Sequence, residues 1–559
     1  MKKAMKKSTK IILGIVIGTI LTALSYYVWL PPLNIFSTGF WFYLLFVIAA
    51  YAVPLGVVAK VPDTDSKKKG ATKLEIKKIP LIIAAVPIAV LVLGGLLSSS
   101  FFHAESYAQV ITVEQAVFAE DMPEADAVTN ISLMDTDSAA MLGNREMGAL
   151  EDMVSQYEVS FDYNQINFQN TPKKVANLEY ADFFRWINNR SVGIPGYIMV
   201  DPVGNDADYV SLSSSGKSLK YVQSAYFHED LMRKVRFSYP TKIFSTVNFE
   251  IDDQGNPWYI ISCAKPRVGL FGAMDINEVI LFNPCDGTST IYPIANTPSW
   301  VDNVYDGDLA CQKYDWHGTL SGGFWNSIIG KRNCKITTDG YGYIVRDDDV
   351  WYFTGVTSVN SDESNIGFII TNARTGAYKY YSIPSAEEYS AMGTAEGAVA
   401  DMNYKASFPS IVNIRGKASY IMVLKDANGF VKRYALVNAQ NATIVATGET
   451  QQAAKEAYIQ KLIETGEIVE EAPPAAETKT ADITVKSVRL ATVNGETLVY
   501  ITADDGIVYR GSLAADETLI LIADGDTLTV TYSETDHEKI RAITAWTVKT
   551  ADPETTPAA

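Results

Sequence analysis

PLIIAAVPIAVLVLGGLL, residues 80–97, is the stretch that decides the fold, because about 460 residues follow it. It carries no charged side chain and approaches the roughly 20 residues that an apolar helix needs to cross a bilayer. Two earlier runs, residues 11–30 and 40–58, share both properties. The sequence therefore predicts three transmembrane helices within residues 1–98. Because no ionisable side chain interrupts them, they are expected to form an anchor and not an ion or proton pathway.

The distribution of lysine predicts how this anchor is oriented. Five Lys precede the first run and seven lie between the second and third runs, whereas residues 31–38 between the first two runs carry no charge. Positive charge flanks the cytoplasmic ends of membrane helices. The N-terminus and the Lys-rich loop are therefore expected in the cytoplasm, and residues after about 98 outside the plasma membrane. The alternative, a cleaved signal peptide over residues 11–23, lacks a small-residue cleavage site followed by polar sequence.

Charge is divided sharply along the chain. Residues 1–78 carry a net charge of +9, which leaves −26 on the remainder of a chain whose net charge is −17. A soluble part this acidic repels nucleic acid, so no nucleic-acid partner is expected. Aromatic residues make up 11% of the chain and charged residues only 20%, which favours well-packed cores over disorder.

The soluble part is predicted to be α+β. Residues 104–250 form a first ectodomain part, with a hairpin signal at GYIMVDPVGNDADYVSL. Residues 251–466 contain three strand pairs, each ending in an Asn that runs into a turn and each followed by a predicted helix. The Asn residues are Asn283, Asn372 and Asn438, and the helices cover residues 299–314, 385–400 and 450–462. This repetition predicts duplicated modules in which helices pack on antiparallel sheets.

Two resemblances bear on these modules. The segments VILFNPCDGTSTIY, FIITNARTGAYKYY and YALVNAQNATIVATG resemble the strand and turn of PepSY-type modules. A wider stretch, with LMDTDSAAMLGNREMGAL, IPGYIMVDPV and FEIDDQGNPWYI among its segments, resembles a family of bacterial membrane-anchored ectodomain proteins of undefined function. The resemblance implies PepSY-like modules on a bacterial envelope protein, and it carries over no catalytic residue.

The C-terminal part is predicted to be a separate small domain. Residues 467–481 are rich in Pro, Ala and Glu, which is typical of a flexible linker. Residues 482–549 contain about five short alternating strands, with turn signals at Asn494-Gly495 and Asp505-Gly506. That pattern predicts a small all-β barrel of OB or SH3-like type. Residues 550–559 are expected to be disordered.

The cysteines are candidates for disulfide bonds. All four, Cys263, Cys285, Cys311 and Cys334, follow the last apolar run and are expected on the oxidising side of the membrane. Two disulfides are predicted, and the sequence leaves all three pairings open. Four buried free thiols are the alternative. Neither the Cys spacing nor the four scattered His match a zinc site, so no metal or other cofactor is predicted.

Other motifs are weaker. GGFWNSIIGK, residues 322–331, has six residues between the glycines where a phosphate-binding loop has four, and Arg332 stands where Ser or Thr is required. The S-x-x-K match at residues 214–217 lies in a Ser-rich segment typical of a loop. Four acidic clusters, at residues 201–208, 252–256, 347–349 and 361–365, are interpreted as turns between strands, with weak calcium binding left open.

These observations favour a non-enzymatic function. The chain is predicted to be a membrane-anchored extracytoplasmic protein that binds or stabilises another envelope protein. The alternative is a cell-wall hydrolase that uses two carboxylates, because paired Asp or Glu cannot be recognised by spacing alone. A sensor or channel subunit is disfavoured by the uncharged helices and the lack of a cytoplasmic domain. No catalytic residue is assigned.

Overall fold

The computed structural model describes residues 7–55, 58–62, 72–76, 78–125, 131–359, 364–469, 478–493, 496–534, 537 and 539–549. The chain divides into two compact units, residues 1–465 and 466–559. Several predicted features fall outside the described residues. They are the centres of the Lys-rich loop and of the linker, the Asn494-Gly495 turn, most of the acidic cluster at residues 361–365 and the tail at 550–559.

The first unit is a mixed α+β structure. Its helices are α1 (Lys7–Trp29), α2 (Thr38–Ala52), α3 (Lys78–Leu97), α4 (Ser100–Ala108), α5 (Phe118–Asp121), α6 (Thr136–Ala149), α7 (Phe183–Asn189), α8 (Leu231–Ser238), α9 (Gly307–Leu320), α10 (Glu388–Gly397) and α11 (Gln451–Glu464). Four of the later helices begin at an Asp that accepts a hydrogen bond from a backbone N–H of the first turn, at Asp135, Asp182, Asp230 and Asp306, and Glu387 does the same for α10. Such N-caps stabilise a helix start and explain where these helices begin.

The strands of this unit form several separate sheets. They are β1 (Val58–Pro62), β2 (Thr72–Ile76), β3 (Val113–Ala116), β4 (Tyr157–Val159), β5 (Asn164–Phe168), β6 (Thr171–Tyr180), β7 (Gly196–Asp201), β8 (Asp206–Ser211), β9 (Ile243–Ile251), β10 (Pro257–Val268), β11 (Gly272–Phe282), β12 (Ser289–Pro293), β13 (Lys335–Thr337), β14 (Gly342–Arg346), β15 (Asp349–Ser358), β16 (Ser364–Asn365), β17 (Gly367–Asn372), β18 (Tyr378–Tyr381), β19 (Ser385–Ala386), β20 (Lys405–Ala406), β21 (Ser410–Ile414), β22 (Lys417–Lys425), β23 (Val431–Asn438) and β24 (Val445–Gly448).

Two helices are long and apolar enough to cross a membrane. They are Ile11–Trp29 within α1 and Pro80–Leu97 within α3, with mean hydropathies of 2.1 and 2.6. The third predicted span is shorter: α2 has 15 residues, a rise of about 22 Å against a hydrocarbon core of about 30 Å. It ends at Ala52 because Pro54 has no N–H to continue the helical ladder. The described residues thus contain two candidate spans where the sequence predicted three.

The order of the strands shows a fourfold repeat. Four antiparallel meanders of four strands follow one another: β5 to β8, β9 to β12, β14 with β15, β17 and β18, and β21 to β24. Short extra strands extend three of the sheets, and β3 is added in parallel beside β18. The predicted duplication of antiparallel sheets is therefore present, with four copies in place of three.

The same turn recurs in each meander. After the third strand, the side chain of an Asp or Asn folds back, and its Oδ1 accepts a backbone N–H two residues on. The four pairs are Asp201 with Val203, Asn283 with Cys285, Asn372 with Arg374 and Asn438 with Gln440, at 2.8 to 3.0 Å. These Asx turns confirm the three turns predicted at Asn residues. Asp201 supplies the fourth in the hairpin predicted earlier in the chain.

Three of the four meanders pack against the helix that precedes them. α6 packs on β7 and β8, α9 on β13 and β15, and α10 on β22 and β23. In the last case Ala391 and Ala395 share a core with Tyr420 and Met422. The predicted helix at residues 299–314 starts later, at Gly307, because Asp306 is its N-cap and Val301 and Val304 are buried in extended chain ahead of it.

The second unit is a closed barrel. Its strands are β25 (Thr478–Val493), β26 (Glu496–Ala503), β27 (Val508–Ser512), β28 (Thr527–Glu534) and β29 (Ile540–Val548). They pair in the order β25-β26-β27-β29-β28 and back to β25, with β27 and β29 parallel. Val499, Ile501, Leu528 and Val530 fill the interior. The predicted small β-barrel is confirmed, and its first strand begins at Thr478, inside the segment predicted as linker.

Candidate functional site at the base of the body

We call residues 98–465 the body, and the end of the body that meets α1 and α3 its base. At the base, α8 lies against the C-terminal end of α1. Arg233 donates through Nε to the carbonyl of Tyr27 at 3.1 Å, and Arg236 donates through Nε to the carbonyl of Leu30 at 2.9 Å. The last carbonyls of a helix lack helical partners and carry partial negative charge. The two arginines therefore cap α1 and attach it to the body.

Arg236 is the more buried of these two side chains. Its Nη1 also donates to the carbonyl of Lys242 at 2.6 Å, and its guanidinium lies 3.9 Å from the ring centroid of Phe244. Burial lowers the pKa of Arg236 to about 10, so the group stays charged at neutral pH. Because the buried guanidinium of Arg236 donates to three backbone carbonyls, the contact has one defined geometry.

The connection between α1 and α2 also lies on the body. Leu33 donates its N–H to the carbonyl of Pro240 at 2.7 Å, and Asn34 donates from Nδ2 to the carbonyl of Thr241 at 2.8 Å. A cavity of about 190 Å³ beside this contact is lined by Phe36, Lys242 and Cys263, among others. The N-terminal end of α2 is thus held next to the C-terminal end of α1.

The end of α3 is held by a turn of the second meander. Ser98 is buried, and its Oγ accepts the N–H groups of Leu270 at 2.8 Å and Phe271 at 3.2 Å. Tyr107 donates from its hydroxyl to the carbonyl of Ser98 at 2.8 Å. A Cβ at Gly94 would lie 2.7 Å from the ring of Phe271, so a glycine is needed for this approach. The turn between β10 and β11 therefore packs on the last turn of α3.

An open groove lies between α4 and α9, with a volume of about 600 Å³. Its lining combines polar and apolar residues: Glu105, Ala108, Gln109, Ile111, Thr112, Val113, His317, Leu320, Ser321 and Gly323. His317 Nδ1 lies 2.9 Å from the carbonyl of Ala108, which ties α9 to α4 across the floor. We call this cavity the base groove.

One wall of the base groove leads into an edge strand. β3 pairs in parallel with β18, with Val113 opposite Tyr378, and it stands at one end of the strand order of its sheet. Glu114 and Gln115 are exposed. An edge strand presents N–H and C=O groups that can pair with another extended chain. The base groove and β3 together form a surface suited to a peptide in extended conformation.

The body holds a pair of neighbouring carboxylates, Glu250 and Asp302, that is too buried to act as a catalytic pair. Glu250 and Asp302 have relative exposures of 0% and 2%. The two Glu250 oxygens accept the N–H groups of Asp302 at 2.9 Å and Asn303 at 2.8 Å, and Asp302 Oδ2 accepts the N–H of Asn167 at 2.7 Å. Burial raises the pKa of Glu250 to about 7 and that of Asp302 well above its usual range. These groups join the first two meanders, and both are almost fully buried.

The carboxylate of Asp121 attaches α5 to the third meander. Asp121 accepts hydrogen bonds from Lys379 and Tyr381, each at 2.5 Å, and from Arg346 at 3.0 Å. Burial alone would raise the pKa of Asp121, but these three donors outweigh it and hold the pKa below its usual range. The carboxylate is fully used in this contact and has a structural role.

The candidate disulfide cysteines are not bonded. Cys263, Cys285, Cys311 and Cys334 are all free thiols, so the two predicted disulfides are not formed in the structure. They lie on different elements: Cys263 on β10, Cys285 in the turn after β11, Cys311 on α9 and Cys334 ahead of β13. Burial raises the pKa of Cys263 and Cys311 to about 12 and that of Cys285 to about 11. The even count that suggested pairing carries no information on where the chain places each thiol.

The acidic clusters and the two weak motifs lie in local structure. Asp201 and Asp252 accept N–H groups of their own turns, and Asp349 forms a bidentate pair with Arg374 at 2.6 and 2.8 Å. Within the described residues, His, Cys, Asp and Glu form no group of three or more that could hold a metal ion. Lys217 donates to Asn256 Oδ1 at 2.6 Å in a surface loop. Residues 322–331 form a turn that Asn326 fills, as described below.

Comparison with known proteins assigns no family. No family model matches the chain, and no curated protein matches it at a significant level. The sequence did not predict the base groove or the pairing of β3, since the pairing of Val113 with Tyr378 joins segments about 265 residues apart. The local signal that could have indicated a strand there is the apolar alternation in VITVEQAVF.

Proposed function

We propose that the chain is a membrane-anchored extracytoplasmic scaffold that binds and stabilises another envelope protein. The observation that carries this proposal is the base groove with its free edge strand β3. It lies at the end of the body where α1 and α3 meet it, so a bound segment would be held close to the membrane surface. PepSY-like modules are proposed for the four meanders.

The packing of α2 supports a three-pass anchor. The C-terminal ends of α1 and α3 both contact the body, at Leu30 and at Ser98. Between them the chain must return, and α2 runs antiparallel to α1: Gly18 approaches Tyr51, while Tyr43 donates to the carbonyl of Thr22 at 2.8 Å. A short helix can span by local bilayer thinning. With the Lys-rich loop in the cytoplasm, the anchor lies in the plasma membrane and the body lies on its extracytoplasmic side.

The orientation is testable by thiol labelling in intact cells. In a background without native cysteines, Ser66→Cys should be shielded from a membrane-impermeant maleimide, and Thr555→Cys should react. The same reagent after permeabilisation should label both, which controls for local accessibility. Labelling of Ser66→Cys alone in intact cells would contradict the proposed compartments.

The mode of binding that the groove supports is strand addition. An extended segment would pair with the free edge of β3, and its side chains would enter the groove between Glu105 and His317. The net charge of −26 beyond residue 78 favours a neutral or basic protein segment over an anionic polymer. The negative charge is consistent with an envelope protein as the partner and disfavours nucleic acid.

Site-specific photo-crosslinking tests the proposal. A photoreactive amino acid at Gln115, which is exposed on β3, should form one dominant adduct with an envelope protein in living cells. The same amino acid at Glu449 is the matched control, because that side chain is 81% exposed on the fourth meander. No adduct at position 115, or an identical set of adducts at both positions, would remove the groove as a partner site.

We propose an OB-type fold for the barrel. Its strand order is one, two, three, five, four and back to one, with a short helical turn at Glu517–Leu521 between the third and fourth strands. Acidic residues line two of its turns, at Asp504, Asp505, Asp524 and Asp526, which favours a protein contact over a nucleic acid. Residues 470–550 should fold alone with a cooperative melt. A fragment that begins at 480 loses the pairs of Thr478 and Lys479 with β28 and should be less stable.

The alternative function, a carboxylate-dependent cell-wall hydrolase, has no geometric support in Glu250 and Asp302, because a substrate cannot reach a pair this buried. Incubating the purified chain with wall polymers separates the two functions. Cleavage that a single Asp or Glu substitution abolishes would overturn the scaffold proposal.

A further inference from the structure

A short loop at the base exposes large apolar side chains. Residues 322–332, which we call the base loop, follow α9 and contain a π-helical turn at Asn326–Gly330. Trp325 is 64% exposed, Ile329 is 75% exposed and Ile328 is also exposed. Single exposed apolar residues are ordinary, but three within five residues form a patch that points to a contact.

The base loop is held in shape by its own polar groups. Asn326 donates from Nδ2 to the carbonyl of Arg332 at 3.0 Å, and its Oδ1 accepts the N–H of Arg332 at 3.2 Å. Asn326 Nδ2 also lies 3.5 Å from the sulfur of the buried Cys334. The hydrogen bonds of Asn326 thus close the loop. Because the Asn326 side chain fills the inside of the turn, the apolar side chains lie outside.

The position of the base loop is set by the start of α4. Phe101 comes four residues after the end of α3, and its ring centroid lies 5.0 Å from that of Phe324 and 6.0 Å from that of Trp325. Phe101 and Phe102 are themselves exposed. The apolar patch is therefore continuous with the candidate span Pro80–Leu97 and lies at the level where that span ends.

The side chains of the patch match the chemistry of a membrane interface. Trp is enriched where hydrocarbon meets headgroups, since its ring is apolar and its N–H is polar. Lys331 and Arg332 follow directly, and basic side chains beside an apolar patch are attracted to anionic headgroups. This basic pair stands out on a body of strongly negative charge.

We propose that the base loop, together with Phe101 and Phe102, inserts into the interfacial layer of the bilayer that α3 crosses. The occupant of the patch is lipid, because Phe101 follows the candidate membrane span after only three residues. Insertion to a depth of about 5–10 Å would fix the body against the membrane in one orientation. The inference rests on the membrane anchoring proposed above, and it adds a second, non-spanning contact.

Fluorescence quenching in nanodiscs tests the proposal on the full chain. The protein is reconstituted in phosphatidylcholine with and without lipids brominated near the headgroup, and the quenching of wild type is compared with that of Trp325→Phe. The difference gives the contribution of Trp325, which should be quenched at least about twofold more than an interior tryptophan. Trp351→Phe is the matched control, since Trp351 is buried in the core of the third meander.

The outcomes separate this inference from the anchor. Trp29 and Trp41 belong to α1 and α2, so their quenching reports anchoring independently. If they are quenched and the Trp325 contribution is not, base-loop insertion is wrong and the anchor stands. If no tryptophan is quenched, both fail. A double variant, Ile328→Ser with Ile329→Ser, should reduce the quenching of Trp325 while the thermal melt is unchanged, and undiminished quenching in that variant would overturn the proposal.

Discussion

Glu250 contacts Asp302 and Asn303 where the first two meanders meet, and we call this contact the joint. The joint buries polar groups, whereas the base loop exposes apolar ones. At the joint, the carboxyl groups of Glu250 and Asp302 are buried, whereas at the base, the side chains of Trp325 and Ile329 are exposed. The joint is stable because its oxygens meet backbone N–H donors. At the base loop the rings of Trp325 and Phe324 pack on Phe101, yet Trp325 and Ile329 stay more than half exposed, as the proposed membrane contact requires. The same body therefore uses internal complementarity in one region and an external surface in the other.

The largest effect is expected at the joint. Glu250→Ala would remove the acceptor for the N–H groups of Asp302 and Asn303 and leave them buried without partners. We expect a loss of about 3–5 kcal/mol in the free energy of unfolding. Urea unfolding of the full chain, followed by tryptophan fluorescence, measures it. Asp253→Ala in the adjacent turn is the control, as Asp253 is exposed, and a loss below about 1 kcal/mol for Glu250→Ala would contradict the role given to the joint.

The next effect concerns Arg236, which attaches α8 to the end of α1. Arg236→Met keeps the apolar stem but removes the donors to Leu30, Tyr239 and Lys242. A loss of about 2 kcal/mol is expected, since three carbonyls lose a charged donor and water can reach some of them. Hydrogen exchange of residues 239–243 should become faster in the variant. Arg185→Met, at an exposed ion pair, should leave that exchange unchanged, and equal protection in both variants would mean that α8 does not attach α1.

A smaller effect appears as a pH dependence of the joint. Because the pKa of Glu250 and that of Asp302 are raised in the folded state, the folded chain holds these protons more tightly than the unfolded chain. The free energy of unfolding then falls as the pH rises from about 4.5 through 7 and above. Asp302→Asn removes one of the two groups and the repulsion on the other. Its stability relative to wild type should increase by about 1 kcal/mol or more between pH 5 and pH 8.

Unfolding of both proteins at four pH values between 5 and 8 gives this difference directly. Asp253→Asn serves as the control and should follow wild type at every pH. Parallel curves of unfolding free energy against pH for Asp302→Asn and wild type would show that burial does not raise the pKa of Glu250 and Asp302.

The smallest effect on stability is expected at the base loop. Ile329→Ser should change the free energy of unfolding in detergent by less than about 0.5 kcal/mol, because three quarters of the side chain is exposed. Leu320→Ser, a few residues earlier, is the contrasting variant, since Leu320 is buried with Tyr107 and Val268 and its loss should cost about 2 kcal/mol or more. Equal costs for the two would mean that the base loop packs on the body and not on lipid.

Local features were predictable from the sequence. The Asx turns at Asn283, Asn372 and Asn438 depend on hydrogen bonds within two residues, and the barrel strands depend on alternation within each strand. The sequence predicted the start of α9 several residues too early, because a buried extended segment lies just before its N-cap Asp306. The disulfides were inferred from an even count, which says nothing about distance in the fold.

The candidate site was not predictable in the same way. The edge position of β3 depends on its pairing with β18, and the joint depends on Glu250 meeting residues about 52 positions further on. The sequence did contain the residues of the base loop, as GGFWNSIIGK, but nothing in that string shows which side chains face outward.

By itself, the sequence determined the apolar spans, the acidic character of the rest, the repeated turns and the alternating strands of the barrel. Each of these follows from interactions among neighbours in the chain, so composition and spacing are enough. Only the tertiary structure decided that Asp302 is buried against Glu250, that β3 is an edge and that Trp325 lies beside Phe101. These depend on which distant segments meet, because burial and pairing are properties of the assembled chain and not of any local window.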